Sequence, residues 1–514
     1  MKRRENEKNQ AVNQFWNGVK LKSIKEIRTK VAYFIKKEQK KVFLLFSVYF
    51  VPLFTIGLIG FPYVDDVDRQ INGYTGFGTT YSRWGSEVAS WIIQGGRHQV
   101  DLGIFMYGLS SLILTVSSLI LVYCLNNRKL TWSSILVSSF LGLNPWFMEC
   151  LLFRFDNPYM SLSILFSVLP FLFYERIKMF IPISVIAIFL MCNFYQSSSG
   201  IYIMIVIAFV FKSLVLNAKI LVVFIKTLAS AGSYILGLIL FYLQLKLLPG
   251  AFVSDDNLFL ASAAKIYSSI NTNLDSYLDM YLSKSPTSWM LLIGMLFLSF
   301  IVVVLTLPNN NLLTKVFALM MYFLTGIPLS AGVFIVFDSP LLTVTPRYGY
   351  GLSVFCVITA LLLLNLSRTR MMTFYSNKIA LILFFYFFSF PFVTATSLDA
   401  QKTSFEHQST LLATDLNSFV TPDRKIVQMN KLFRNAPLRL NNMKKYPLID
   451  NLVPNNSALT WTNTLWFKSF SNLDIEIQPV DFNQINTQEL EIQKQSSLYN
   501  IYTTEEEIFV EMTY

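Results

Sequence analysis

A bilayer core about 30 Å thick needs about 20 apolar residues per crossing helix, and this chain carries eleven runs of that kind. They fall near residues 42–63, 103–125, 131–149, 158–174, 180–196, 200–217, 226–245, 288–307, 315–337, 351–367 and 379–397. Nothing constrains the fold of this 514-residue chain more strongly. A soluble domain has one core to fill and covers it with charge, at about 25 % of its residues. Here charged residues make up only 14 %. The pattern predicts an α-helical polytopic membrane protein with about eleven transmembrane helices. It excludes a soluble enzyme, a disordered chain and a disulfide scaffold. Cys124, Cys150, Cys192 and Cys356 all lie in or at the ends of apolar runs, without CxxC spacing, and read as packing residues.

Charge then orders the runs across the membrane. Residues 1–41 hold 13 Lys/Arg against 4 Asp/Glu, while residues 395–514 hold 10 against 14. A basic head belongs on the cytoplasmic side, against anionic lipid. Its stretch from Phe15-Trp16 to Phe34-Ile35 mixes apolar and Lys positions like an interfacial helix. The short loops on that side hold Arg128, Lys129, Arg176, Lys178, Lys212, Lys219, Lys226, Lys315, Arg368, Arg370 and Lys378. The longer loops on the other side hold only 8 Lys/Arg. The positive-inside rule therefore predicts a cytoplasmic N-terminus and, with an odd number of spans, an external C-terminus. Three regions follow: a basic amphipathic tail over 1–41, a membrane domain over 42–397, and a small external α+β domain over 398–514. Two long outer loops, 64–102 and 246–287, interrupt the membrane domain. The first reads as interfacial helix pieces, with Trp84, Trp91 and apolar residues at helical spacing up to Gly95-Gly96. The alternation in 474–482 and in part of 499–511 marks strands of the external domain.

Four polar clusters end apolar spans on the same outer face. The first is Asp65-Asp66-Val67-Asp68-Arg69. One helix cap needs one carboxylate, not three, so ionisable groups here point to chemistry. The second runs from Asn144-Pro145-Trp146 through Glu149 to Arg154, Phe155, Asp156 and Asn157. The third is Tyr195-Gln196-Ser197-Ser198-Ser199-Gly200, and the fourth joins Asp338 to Pro346-Arg347-Tyr348. Together they offer carboxylates, arginines for a phosphate, and aromatic faces for a sugar ring. A carboxylate would take the proton of an attacking hydroxyl, and Arg69, Arg154 and Arg347 would neutralise a phosphate leaving group. With His98 and His407 as the only imidazoles, Ser/His/Asp hydrolysis is disfavoured, and the chain has no Walker A sequence. Gly73, Gly76 and Gly78 give a weak GxxGxG pattern that follows no strand.

At these residues the chain resembles the serotype-converting O-antigen glucosyltransferases, the Gtr glucosyltransferase II family. The resemblance rests on YVDDVDRQINGYTGF at 63–77, Ser82-Arg83-Trp84, Asp101-Leu102, NPWFMECLLFRFDNPYMSLSILF at 144–166, FYQSSSGIYIMI at 194–205 and Pro346-Arg347. It covers about residues 40–365. It implies a GT-C-like membrane fold and transfer of a hexose, usually glucose, from a polyprenyl phosphate to a lipid-linked glycan at the periplasmic face of the bacterial inner membrane. It implies an aspartate of the first outer loop as catalytic base, which lands on Asp65 or Asp66; our reading favours Asp66, with Arg69 as its partner. Arg69, Arg83, Arg154, Asp156, Tyr195, Gln196 and Arg347 are the expected substrate-binding residues. The Ser82-Arg83-Trp84 stretch departs from the family's Gly-Arg-Pro-like pattern. The implied partners are the polyprenyl-phosphate sugar, the glycan acceptor and membrane lipids, with no nucleic acid. No nucleotide cofactor is expected, and the sequence leaves a divalent metal open. The alternative is a lipid-linked sugar or polysaccharide flippase, which would carry charge at the midplane of its spans.

Overall fold

The computed structural model describes residue 33 and residues 36–248, 260–308, 311–341, 345–485 and 490–514. Nearly all of the expected basic tail, residues 1–41, lies outside them. Every one of the eleven apolar runs becomes helical, because a backbone away from water must satisfy its own polar groups. Among the described residues, eight helices are long and apolar enough to cross a membrane: Gln39–Ile59, Ile104–Leu125, Ile177–Phe194, Gln196–Val215, Ile220–Leu247, Thr287–Leu305, Leu312–Leu329 and Arg370–Leu416. The last of these comprises two consecutive helices, Arg370–Phe388 and Phe390–Leu416. The other three runs form shorter apolar helices, Trp132–Leu141, Asn157–Phe173 and Gly351–Leu366. At about 1.5 Å per residue these fall short of a 30 Å core. They pack inside the helix array, and most residues of Trp132–Leu141 and Gly351–Leu366 are buried.

The first outer loop folds into two short helices, Asp66–Asn72 and Trp84–Gln94. Gly73 and Gly95 close them with left-handed φ of 63° and 67°, a conformation that costs a glycine nothing. Within the second outer loop a helix spans Ile266–Lys284 and buries Tyr277 and Tyr281.

Helix Phe390–Leu416 carries the chain from the membrane region into the C-terminal domain without a break, so the expected boundary at 397/398 falls inside one helix. Beyond it lies a five-stranded sheet of β1 (Ile426–Met429), β2 (Glu476–Pro479), β3 (Glu491–Gln495), β4 (Tyr499–Thr503) and β5 (Glu507–Met512), in the order β2-β1-β5-β4-β3. β1 runs parallel to both β2 and β5, and β3, β4 and β5 pair antiparallel. The alternating residues Ile508, Val510 and Met512 of β5 are buried, as the period-two pattern requires. One hydrophobic core runs unbroken from Leu45 of the first span to Met512.

Candidate active site

The backbone into the first site helix is strained. Val64, a β-branched residue, has φ 46°, and Ser82 has φ 57°. A β-branched side chain rarely adopts this region. Each residue stands immediately before charged residues: Val64 before Asp65-Asp66, Ser82 before Arg83. Backbone strain of this kind gathers at functional sites.

None of the three carboxylates at 65–68 caps the helix that follows. Asp65 occupies the N-cap position without a side-chain capping bond. Its Oδ2 accepts from the Tyr81 hydroxyl at 2.8 Å and lies 3.5 Å from Arg69 Nη2. Asp68 instead accepts from Asn72 Nδ2 at 2.6 Å on the exposed face. Asp66 is fully buried, and its Oδ2 accepts the Arg154 backbone N–H at 2.7 Å. Its Oδ1 meets no hydrogen-bond partner, although Arg69 Nη1 stands 3.5 Å away. Burial, opposed chiefly by the Arg69 charge, pushes the Asp66 carboxyl up to about 8.

Arg69 is itself buried, with its guanidinium carbon 4.9 Å from the Phe77 ring centroid. Arg83, from the start of the second loop helix, lies over Tyr81 at 4.7 Å and Tyr195 at 5.4 Å. Its Nη1 is 3.5 Å from Asp156 Oδ2. Asp156 is buried and close enough to feel Arg69 and Arg83; burial nevertheless raises its carboxyl. These contacts are longer than a good charge-assisted hydrogen bond of about 2.7–2.9 Å. Asp66 Oδ1, Asp156 Oδ1 and Arg69 Nη1 are accordingly buried without a hydrogen-bond partner, as is Ser82 Oγ nearby. Buried polar groups are seldom left unpartnered, and those that are gather where strain, catalysis or a bound water or ion accounts for them.

Arg347 sits at the edge of this cluster, in a single turn over Pro346–Tyr348. Its backbone N–H donates to Glu149 Oε2 at 2.9 Å, and its Nε lies 3.6 Å from Glu149 Oε1. The guanidinium covers the Phe153 ring at 4.8 Å, and that ring meets Tyr63 edge-on at 4.9 Å. Tyr63 thus links the Arg347–Glu149 pair to the Asp65-Asp66 turn. Gln196 opens the short turn over Gln196–Ser198 beside Tyr195 and is partly exposed.

Arg154 has a different environment. Its Nε donates to both Asp101 oxygens at 2.7 Å, and its Nη1 to the Gly57 carbonyl at 2.9 Å. Its side chain is tied into the scaffold, and the atom it offers the site is the backbone N–H. Glu87 escaped sequence reasoning. It is buried, takes Thr75 Oγ1, the Gly78 N–H at 3.0 Å and Trp91 Nε1 at 3.1 Å, and so ties the glycine-containing turn to the second loop helix. A carboxylate four residues before a tryptophan on one helix was the available signal.

The carboxylates face guanidinium groups, and among the described residues no group of three or more His, Cys, Asp or Glu side chains gathers to hold a metal. The donor set does not fit a divalent cation. What the cluster can do is accept a proton at Asp66 Oδ1 and hold an anion near Arg69, Arg83 or Arg347.

No curated protein matches the chain. The family model for glucosyl transferase GtrII matches residues 54–358, which include every residue of the cluster and stop short of the C-terminal domain. With well over half the chain matched, and with helices apolar enough to place it in a membrane, the protein belongs to the GtrII glucosyl transferase family.

Proposed function

We propose that this glucosyl transferase moves a hexose, glucose on the family precedent, from a polyprenyl phosphate to O-antigen or a similar lipid-linked surface glycan. The reaction takes place at the periplasmic face of the inner membrane. The observation that carries the reading is Asp66: a buried carboxylate with one oxygen fixed by a backbone N–H and the other unpartnered beside an arginine.

A sugar hydroxyl is a poor nucleophile because its pKa lies far above neutral. Asp66 Oδ1 takes its proton while the hydroxyl oxygen bonds to the anomeric carbon of the donor. The bond from that carbon to the phosphate oxygen breaks, and the polyprenyl phosphate leaves with the electron pair. Arg347, at the rim, meets the phosphate; Arg69 and Arg83 steady the carboxylates around the base. A raised pKa makes Asp66 a stronger base than a solvated aspartate, at the cost of being largely protonated at neutral pH before substrate binds.

The test is sugar transfer in membranes supplied with radiolabelled polyprenyl-phosphate hexose. Asp66→Asn keeps the shape and removes the basicity, so the rate should fall by at least about a hundredfold. Retained transfer by Asp66→Asn together with loss in Asp65→Asn would move the base to Asp65. Retention in both would end the first-loop mechanism.

A further inference from the structure

The family match ends at residue 358, yet the domain beyond it reaches back to the catalytic turn. Helix Phe390–Leu416 packs along the first span, Gln39–Ile59. From it, Lys402 Nζ donates to the Ile59 carbonyl at 2.9 Å, the last residue of that span. Helix Trp461–Ser471 packs against the Asp66–Asn72 helix. Its Trp466 lies flat on Phe405, with ring centroids 4.0 Å apart and planes 4° from parallel. Trp466 also meets Phe61 edge-on, at 5.3 Å. Phe61, Pro62, Val64 and Val67 from the first loop line one small cavity with Pro454 and Trp466 from the C-terminal domain.

The segment from Ile59 to Val67 is therefore held on both sides. On the inner side the Arg154 backbone N–H fixes Asp66. On the outer side Lys402 and Trp466 hold the chain just before it. Between these holds Val64 adopts its left-handed φ of 46°. A strained conformation persists only where its surroundings over-determine it, and Trp466, seated on Phe405, is the largest rigid group on that side.

We infer that Trp466 is a positioning residue: acting through Phe61 and the Val64–Val67 turn, it holds Asp65 and Asp66 in place, which makes the C-terminal domain part of the transfer site. This rests on the reading of the Asp65-Asp66 turn as catalytic. It assigns the domain outside the matched region a role in the rate of the reaction, through contacts to the base's own helix.

The experiment uses full-length protein in membranes and two readouts. The first needs no turnover: an Asp65→Cys reporter, labelled with a membrane-impermeant maleimide with and without Trp466→Ala. Labelling should quicken several-fold when the indole is removed and stay near its starting rate with Trp466→Phe. The second is transfer, per molecule of protein, with Asp65 intact. Trp466→Ala should lower kcat about ten- to hundredfold, the scale of a misplacement of about 1 Å at a reacting group. Donor KM should change little, and Trp466→Phe should restore most of the loss. If Trp466→Ala fails to accumulate, Lys402→Met, which frees the Ile59 carbonyl, should move both readouts in the same direction. Unchanged labelling overturns the proposal, as does an unchanged kcat or a loss carried only by KM. Failure of the underlying reading is separately visible: Asp66→Asn with native Trp466 would then keep its transfer, while labelling still reports whether the indole holds the turn.

Discussion

Asp66 shows how much one side chain's surroundings decide. Its neighbours in sequence, Asp65 and Asp68, have the same chemistry, yet only Asp66 is fully buried. Because its carboxyl is pushed up to about 8, the Asp66 side chain is mostly protonated below that pH and mostly ionised above it. If Asp66 is the base, kcat/KM should therefore rise with pH, reach half its plateau near 8 and level off about one unit higher, with the limb abolished in Asp66→Asn; a flat profile from pH 6 to 9 would contradict this. At Arg347, a charge-assisted contact to phosphate contributes about 1.5–3 kcal/mol, so Arg347→Ala should cut transfer about ten- to hundredfold. That substitution also strands Glu149, which Arg347 faces. Adding Glu149→Gln removes the stranded charge; recovery of transfer in the double variant would show that Arg347 acts through Glu149 rather than on the donor. For Arg154, the bonds to Asp101 and Gly57 predict a scaffold effect. Asp101→Asn and Arg154→Ala should each weaken transfer, and the double variant should be little worse than the stronger single, as expected of residues in one network.

Among the elements, glycines report where helices come closest. A Cβ on Gly351 would stand 1.9 Å from the Ser330 carbonyl oxygen, and one on Gly200 would stand 2.3 Å from the same atom. Three backbones meet there, and a carbonyl fixed in a helix end cannot step aside. Gly351→Ala should cost about 1–3 kcal/mol or more, read as a lower melting temperature in detergent. Gly108, inside Ile104–Leu125, has open space around its missing Cβ. Gly108→Ala should raise stability by about 0.5–1 kcal/mol, since alanine loses less backbone entropy in a helix. The apolar runs located every membrane helix but not its length. The run at 131–149 gives a helix only from Trp132 to Leu141. The rest turns through Asn144, whose Oδ1 takes the Phe147 N–H at 2.8 Å, and restarts as Met148–Leu152. Hydropathy over about 20 residues averages across that break, although the Asn144-Pro145 pair inside the run marks a turn.

For the molecule as a whole, the continuous core means that the C-terminal domain is no detachable module. Ending the chain after Leu398 would remove Lys402 from the Ile59 carbonyl and Trp466 from Phe61, and the truncated protein should fail to accumulate in membranes. Orientation is tested by alkaline phosphatase fused after Tyr514, expected to be active, and after Lys129, expected to be inactive. The reverse pattern would put the cluster on the cytoplasmic side. The sequence by itself determined the membrane class, the places where the membrane helices form, the strands within 474–482 and 499–511 and the acidic motif of the first loop, but not β1 or β3 of the C-terminal sheet. Each of these depends on local composition: hydropathy over about 20 residues, alternation over a few, charge in one short stretch. Only the tertiary structure decided which carboxylate is buried and left with an unpartnered oxygen, that Arg154 meets Asp66 through its backbone N–H while its side chain is bound to Asp101 and Gly57, and that Trp466 stands behind the Asp65-Asp66 turn. Those outcomes come from contacts between residues as far apart as Phe61 and Trp466, which no window along the chain contains.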